Sequence, residues 1–540
     1  MLGQLAEVAA RRGIHTFEAR VLGENRRMLQ VFRDSGFPVK SQFAYDSIEL
    51  TFPTSLTPEA LARFDHREEL AAASALRRIF YPHAVAVIGA SQKQGSVGAA
   101  VVRNLVSAGF PGPMYPVNPS ASTIQSLLAY PSIEAITEPV DLAIICVPAA
   151  RVLSVAEECG RKGVYGLVVM TAGFGEIGAQ GQERQRELLR ICQSYGMRVI
   201  GPNCIGIINT DPAAPLNATF GPLMAAPGRI GMATQSGALA LAAIDFTVAR
   251  KLGFSTLVSM GNKADISGND LLGYWQSDPR TDVVLLYLES FGNPRRFGRL
   301  ARGLGRTKPI VALKSGRSSV GARATASHTG ALLSASDVTV DALFRQAGVI
   351  RTDTLDEMLD VADLLVHQPL PAGNRVAIVT NAGGPAVMCA DACEARGLEV
   401  PRLSDTTRAA LRAFLPAEAS VENPVDMIAA ATAEQYAQAV TVVAADPNVD
   451  AVISIFLPPL ATQPGDVARA VVQAVNSLDR AKPVLGVFMS AQALPDLELA
   501  AGSRVPGYHM PEPAAIALAH AARYAVWRSQ PVDAVPEFPD

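Results

Sequence analysis

Arg229-Ile230-Gly231-Met232-Ala233-Thr234-Gln235-Ser236-Gly237 returns later in the chain as Arg375-Val376-Ala377-Ile378-Val379-Thr380-Asn381-Ala382-Gly383. Each stretch runs from an arginine through a short apolar segment to a threonine, an amide and a small-residue turn, the pattern of a buried strand that feeds a helix. The echo continues, with Asp282-Val283-Val284-Leu285-Leu286 matching Asp450-Ala451-Val452-Ile453-Ser454, and Lys308-Pro309-Ile310-Val311 matching Lys482-Pro483-Val484-Leu485. A duplicated α/β unit therefore fills the second half of the chain.

Working towards the N-terminus, apolar runs at Ala84 to Ile88, Leu142 to Val147, Gly166 to Met170 and Arg198 to Ile200 alternate with helical stretches. That alternation predicts a third α/β unit with a mainly parallel sheet. The charged stretch Leu56 to Glu69 and the segment Asp211-Pro212-Ala213-Ala214-Pro215 read as linkers. Before them, Leu5 to Arg12 reads as a helix, His15 to Val21 as a strand, Asn25 to Ser35 as a helix and Ser47 to Phe52 as a strand. So short a segment is not expected to make a sufficient core alone. The expected organisation is a small α+β segment at 1–55, a linker at 56–75 and three α/β units at 76–210, 226–368 and 374–530.

The chain has 540 residues, of which 49% are hydrophobic and 18% charged, with a formal net charge of −3. No basic surplus points to nucleic acid. Its six cysteines lack Cys-x-x-Cys spacing and read as reduced thiols, with neither a disulfide framework nor a metal site expected. Apolar runs such as Val283 to Leu288 are too short to span a bilayer, and Met1-Leu2-Gly3-Gln4 lacks a signal pattern, so a cytoplasmic protein is expected.

Three constellations carry chemistry. Gly89-Ala90-Ser91-Gln92-Lys93-Gln94-Gly95-Ser96-Val97-Gly98 follows a strand and opens a helix, the setting in which backbone amides and the helix dipole hold phosphates. Its spacing specifies neither NAD nor ATP, and Tyr115-Pro116-Val117-Asn118-Pro119 stands where a ribose-binding acid would be expected. Ser236-Gly237 and Gly383-Gly384 occupy equivalent strand-to-helix turns in the repeats, two helix N-termini able to face one anion. Ser327-His328-Thr329-Gly330 sets one of only seven histidines on a loop of small residues. Its neutral imidazole is a nucleophile near pH 7. Glu289 ends the strand Val283 to Leu288, where a carboxylate can orient such a ring.

From about Leu76 to Ser529 the chain resembles the α subunit of ADP-forming acyl-CoA synthetases, relatives of succinyl-CoA synthetase, which implies a Rossmann-like CoA-binding domain at 76–210 followed by two flavodoxin-like ligase domains at 226–368 and 374–530. The motifs are Gly89-Ala90-Ser91, Gly95-Ser96-Val97-Gly98, Pro116-Val117-Asn118-Pro119, Gly201-Pro202-Asn203-Cys204, Thr234-Gln235-Ser236-Gly237, Ser259-Met260-Gly261-Asn262-Lys263 and Ser327-His328-Thr329-Gly330. The resemblance implies CoA held by Gly89, Ser91, Gly95, Ser96, Val97, Gly98, Asn118, Pro119, Val147, Pro148 and Asn203. It implies a phosphohistidine at His328 supported by Glu289, with phosphate faced by Ser236, Gly237, Gly383 and Gly384. It also implies a small carboxylic acid or its acyl-CoA as substrate. ADP or ATP with Mg2+ would bind on an ATP-grasp partner subunit or fused domain in a hetero-oligomer, without nucleic acid or membrane.

Residues 1–55 resemble the tail of a GNAT acetyltransferase, with Asn25-Arg26-Arg27-Met28-Leu29 to Ser35-Gly36-Phe37 as the matching helix and turn. Two other functions stay open at this point. One is a CoA-binding regulatory part of a GNAT-type protein lysine acetyltransferase, and the other a NAD-binding oxidoreductase.

Overall fold

The computed structural model describes residues 5, 6, 8, 9, 12–55, 70–318, 320–321, 337–458, 462–478, 482–500 and 502–531. The chain divides into two compact units, 1–78 and 79–540. In the first unit, β1 (Thr16–Leu22), α1 (Arg26–Arg33), β2 (Lys40–Ala44) and β3 (Ser47–Pro53) make an antiparallel sheet in the order β1-β3-β2. Asn25 caps α1 by accepting from Met28 N at 3.1 Å. Phe17, Phe32 and Phe37 gather around Phe52, giving this segment its own apolar cluster. Strand β2 escapes a reading by alternation because almost all its side chains face solvent. The helix expected over Leu5 to Arg12 and most of the 56–75 linker lie partly outside the described residues.

The second unit begins with a five-stranded sheet. Its elements are β4 (Val85–Ile88), α2 (Val97–Ala108), β5 (Met114–Val117), β6 (Leu142–Ile145), α3 (Ala149–Lys162), β7 (Gly166–Val169), α4 (Ala179–Tyr195) and β8 (Arg198–Ile200). All strands are parallel in the order β8-β7-β6-β4-β5. β4, β6 and β7 are buried along their whole length, as in a sheet covered on both faces. The order reverses between β4 and β6, which opens a crevice at their carboxyl ends.

Next come β9 (Gly206–Asn209) and β10 (Leu216–Thr219), an antiparallel pair. Asp211 to Pro215, expected as a linker, is the turn between them, and Asp211 there accepts from Tyr81 Oη at 3.0 Å. The pair joins a seven-stranded sheet, because β9 hydrogen-bonds to the second strand of the first repeat. That repeat comprises β11 (Pro227–Thr234), α5 (Gly237–Ala249), β12 (Phe254–Ser259), α6 (Gly268–Ser277), β13 (Val283–Leu288), α7 (Pro294–Gly305), β14 (Ile310–Lys314), α8 (Asp337–Ala347), β15 (Ile350–Thr352) and α9 (Leu355–His367). The second repeat comprises β16 (Val376–Thr380), α10 (Gly383–Ala395), α11 (Asp405–Arg412), β17 (Val425–Asp426), α12 (Ala433–Ala444), β18 (Ala451–Phe456), α13 (Pro464–Ser477), β19 (Val484–Phe488), β20 (Gly507–Tyr508) and α14 (Pro511–Ser529). Parallel orders β12-β11-β13-β14-β15 and β17-β16-β18-β19-β20 are the same flavodoxin-like 2-1-3-4-5 arrangement.

Polar latches repeat with the strands. Arg229 pairs with Asp282 at 2.7 Å and Arg375 with Asp450 at 2.8 Å, tying the first strand of each repeat to the start of the third. Lys308 donates to the Trp275 carbonyl at 2.6 Å, and Lys482 to the Asp446 carbonyl at 2.6 Å. The repeats meet through α9 and α14, the helices that follow their fifth strands, inside one shared apolar cluster. Asp363 on α9, 3% exposed, is clamped there by His367 Nδ1 at 2.8 Å and Arg504 Nε at 3.0 Å.

Candidate functional site

The loop after β4 is shaped by its glycines. Gly89 has φ +92°, and a Cβ there would lie 2.9 Å from the Cys146 carbonyl carbon, so the loop hugs the end of β6. Ser96 caps α2, accepting from Ala99 N at 3.3 Å and donating to the Lys93 carbonyl at 2.9 Å. Ser91 Oγ accepts from Lys93 N at 3.0 Å. Gly95 has φ +80° with open space where a side chain would stand, and α2 has no acid in its first turn. A positive helix end, an exposed lysine and a loop that keeps side chains away fit the diphosphate of a coenzyme.

The other residues expected at this site gather at the same sheet edge. Asn118, just past β5, donates to the Ala90 carbonyl at 2.8 Å and accepts from Ser120 N at 2.8 Å, with Pro119 between them. Val147 follows β6, and Pro148 sits at the start of α3. Thr171 bridges two loops: its hydroxyl donates to the Val147 carbonyl at 2.6 Å, and its carbonyl accepts from Asn203 N at 3.0 Å. Asn203 has φ +59° and follows the cis Gly201–Pro202 bond. Gly261 fits against this turn, since a Cβ there would fall 2.2 Å from the Pro202 carbonyl oxygen. Asn262 N donates to that oxygen at 2.9 Å, so the Gly-Pro-Asn-Cys and Ser-Met-Gly-Asn-Lys segments join the first sheet to the second. Burial pushes the Cys146 and Cys204 thiols up to about 12, which excludes either as a thiolate nucleophile at neutral pH.

At the carboxyl edges of the two repeats the turns are built alike. Thr234 Oγ1 accepts from Ser236 N at 3.0 Å, and Thr380 Oγ1 from Ala382 N at 3.1 Å. Ser236 caps α5 and Gly237 begins it, whereas Gly383 and Gly384 begin α10 with no side-chain cap. A Cβ on Gly237 would press on Ile205 at 2.7 Å, while Gly384 faces open space. The amides also match. Gln235 Oε1 accepts from Glu289 N at 2.9 Å and Ser290 N at 3.0 Å, and Asn381 Oδ1 accepts from Leu457 N at 3.0 Å.

Glu289 directly follows β13 and is 6% exposed, so it is not a solvent-facing strand end. Two lysines that composition and spacing did not single out as site residues accompany it. Lys263 Nζ donates to the Ser290 carbonyl at 2.6 Å, and Lys314, 5% exposed, ends β14 and donates to the Ser315 carbonyl. Burial, then the charge of Lys314, lowers the Lys263 ammonium to about 8, against the attraction of Glu289. Lys314 is lowered as well, by burial first and then by Arg351, while Asp337 and Glu289 oppose the shift. His328 lies outside the described residues. Among the described residues no cluster of His, Cys, Asp and Glu could hold a metal, and no helix is long and apolar enough to cross a membrane.

Comparison with known proteins gives three family matches: a CoA binding domain at 83–210, a succinyl-CoA ligase like flavodoxin domain at 227–365 and a ligase-CoA domain at 376–502. The chain is 43% identical to the acetate–CoA ligase (ADP-forming) II subunit alpha of Pyrococcus furiosus over 441 residues, which are 81% of this chain and 95% of that one. It is 41% identical over 451 residues to the acetate–CoA ligase (ADP-forming) I of Archaeoglobus fulgidus, covering 83% of this chain but 64% of that one. A solved structure of the dinucleotide forming acetyl-coenzyme A synthetase 1 of Ca. Korarchaeum cryptofilum, in complex with phosphate and ADP, matches with a TM-score of 0.78. It is 36% identical and covers 84% of this chain and 97% of that one.

Proposed function

We propose, from the premise that this chain belongs to the ADP-forming acetate–CoA ligase family and matches its α subunits, that it interconverts acyl-CoA, ADP and phosphate with the free acid, CoA and ATP. Acetate or another small carboxylate is the acid, in keeping with the names of these relatives. The observation that carries the reading is the buried Glu289, flanked by Lys263 and Lys314 at the carboxyl edge of the first ligase sheet, whose strand β14, ending at Lys314, leads in sequence to the segment bearing His328. A fixed acid suits the support of a nucleophilic imidazole, and neighbouring cations suit the phosphoryl group that such a ring receives.

The α2 loop, with Ser91, Ser96 and Gly98, holds the CoA phosphates, and Asn118, Val147, Pro148 and Asn203 line the same edge. Phosphate oxygen attacks the thioester carbon, the C–S bond breaks, and acyl phosphate and CoA thiol form. His328 then attacks phosphorus, the P–O bond to the acyl group breaks and the carboxylate leaves. Glu289 orients the imidazole and offsets its positive charge, while the α5 and α10 N-termini at Ser236, Gly237, Gly383 and Gly384 face the transferring phosphoryl group. Phosphohistidine finally passes the group to ADP.

An ATP-grasp partner supplies the nucleotide site, with Mg2+, in a cytoplasmic hetero-oligomer, in keeping with the subunit names of the relatives and the greater length of the Archaeoglobus fulgidus enzyme. Adding an ATP-grasp β subunit to the purified chain, acetyl-CoA, ADP and phosphate tests this. ATP is expected only in the complete mixture, and ATP formation by the chain alone would contradict the division of labour.

A further inference from the structure

The two ligase repeats provide an internal control on which charges the fold requires. Strand register pairs Leu288 with Lys314 in the first sheet and Phe456 with Phe488 in the second, and pairs Thr234 with Ser259 as it pairs Thr380 with Asp426. Glu289 therefore corresponds to Leu457 and Lys314 to Phe488, and Lys263, in the loop beyond the paired strands, falls against the alanine run Ala429 to Ala431. Positive φ at Gly261 and Ile428 keeps the loops in step to that point; beyond it Lys263 N closes on the Met260 carbonyl at 2.9 Å and Ala431 N on the Ile428 carbonyl at 3.1 Å, one residue apart, and the second loop offers only alanine across this stretch. The second repeat keeps the strand-start ion pair, the threonine turn and the amide latch, yet replaces all three charged groups with apolar ones. Folding of this unit does not require them, and burying charge opposes folding unless it is compensated.

Their geometry shows what they act on. Ser290 is held from two sides, its carbonyl accepting from Lys263 Nζ at 2.6 Å and from Gln235 Nε2 at 2.8 Å. Lys263 is faced by Glu289 after β13 and by Lys314 at the end of β14. Tyr287 on β13 feels Glu289, Asp337 on α8 and Arg351 on β15 act on Lys314, and Glu176 accepts from the neighbouring Asn262 at 2.6 Å. We propose that Lys263 is a positioning residue for phosphoryl transfer, its ammonium fixing the Glu289–Ser290 backbone, with Lys314 as the second fixed cation. This rests on the phosphohistidine reaction assigned above. Because the Lys263 ammonium is lowered to about 8, its charge is lost, and phosphoryl loading falls with it, as pH rises through that value.

The test uses the full chain with acetyl-CoA and labelled phosphate, following the initial rate of label uptake between pH 6.5 and 9.5. Wild type is expected to show an alkaline limb centred near 8. Lys263→Arg should keep most of the rate and move the limb out of range, whereas Lys263→Met should lose on the order of 10- to 100-fold at pH 7 and show no limb. A second readout needs no turnover: NMR of carbon-13 methylated lysines. The resonance missing in Lys263→Arg should titrate near 8 in wild type and at lower pH in Glu289→Gln. If wild type takes no label while that shift is present, the phosphohistidine reading fails and the Lys263–Glu289 coupling stands. The proposal is overturned by a Lys263 titration that Glu289→Gln leaves unmoved, or by Lys263→Met loading at the wild-type rate with the same limb.

Discussion

Replacing Gly98 by alanine tests the coenzyme loop through a single methyl group. The added Cβ would stand 2.1 Å from the Gly89 carbonyl oxygen, 2.8 Å from its carbon and 3.0 Å from the Ala90 Cα, all backbone atoms that no side-chain rotation relieves. Ordinary contact begins beyond 3 Å, so the Gly89–Ala90 turn has to retreat by about 1 Å. Overpacking of this kind costs about 1–3 kcal/mol of stability. The same movement draws the loop amides off a bound diphosphate. Losing one or two hydrogen bonds to a charged group, at about 1.5–3 kcal/mol each, weakens CoA by roughly 10- to 100-fold or more. Gly109→Ala, at the far end of α2, is the control, since its Cβ meets nothing within 4 Å and only its φ of +73° opposes the change. It should cost roughly 1–2 kcal/mol of local strain without displacing the turn. Titration calorimetry of CoA into the full-length variants, with circular dichroism to verify folding, separates the two. Wild-type CoA affinity in a folded Gly98→Ala protein would refute the placement of the phosphates against this loop.

Three further outcomes follow from the same geometry. Asp363→Ala should lower unfolding stability by about 3–5 kcal/mol in urea titrations, because it strands the charge of Arg504 between the repeats; Asp363's own carboxyl is lowered despite its burial, chiefly by its hydrogen bond to His367, so this contribution is present at neutral pH and disappears as acid protonates it. Asp360 has the opposite sign. Burial raises its carboxyl to about 6, against Arg250, so the folded state binds its proton more tightly and stability declines as pH rises towards 6; Asp360→Asn should therefore stabilise more at pH 7 than at pH 4, by on the order of 2–3 kcal/mol. Gly384→Val, in open space at the start of α10, should leave the melting temperature within a few degrees of wild type yet slow phosphoryl loading at least tenfold, as gel-based labelling would show.

Much of this architecture is legible in the residues because buried parallel strands read as apolar runs, and the two ligase units repeat theirs at matching positions. Glycine turns were equally legible, since Gly89 and Gly95 adopt backbone angles that other residues avoid. Strand β2 was not, because Lys40 to Ala44 is an exposed edge with no buried face to set a period. Asp211 to Pro215 looked like a linker because a hairpin turn and a domain connection share the same small and proline residues. Lys263, although part of a family motif, and Lys314 were not legible as site residues for another reason. A lone lysine at a strand end or in the loop beyond it reads as a solvated charge, and only the register of the duplicated sheets sets Lys314 against Phe488 and Lys263 against the alanine run Ala429 to Ala431. Carrying the repeat alignment past the strand ends would have exposed the exchange of three charged residues for three apolar ones.

The most direct test of the phosphohistidine assignment is to incubate the full chain with acetyl-CoA and phosphorus-32 phosphate, then map the label by peptide mass spectrometry under alkaline conditions. An acid-labile, base-stable label on His328, absent from His328→Ala and reduced in Glu289→Gln, is the predicted result. Label that persists in His328→Ala, or wild-type protein that forms ATP with an ATP-grasp partner while His328 stays unlabelled, would contradict it.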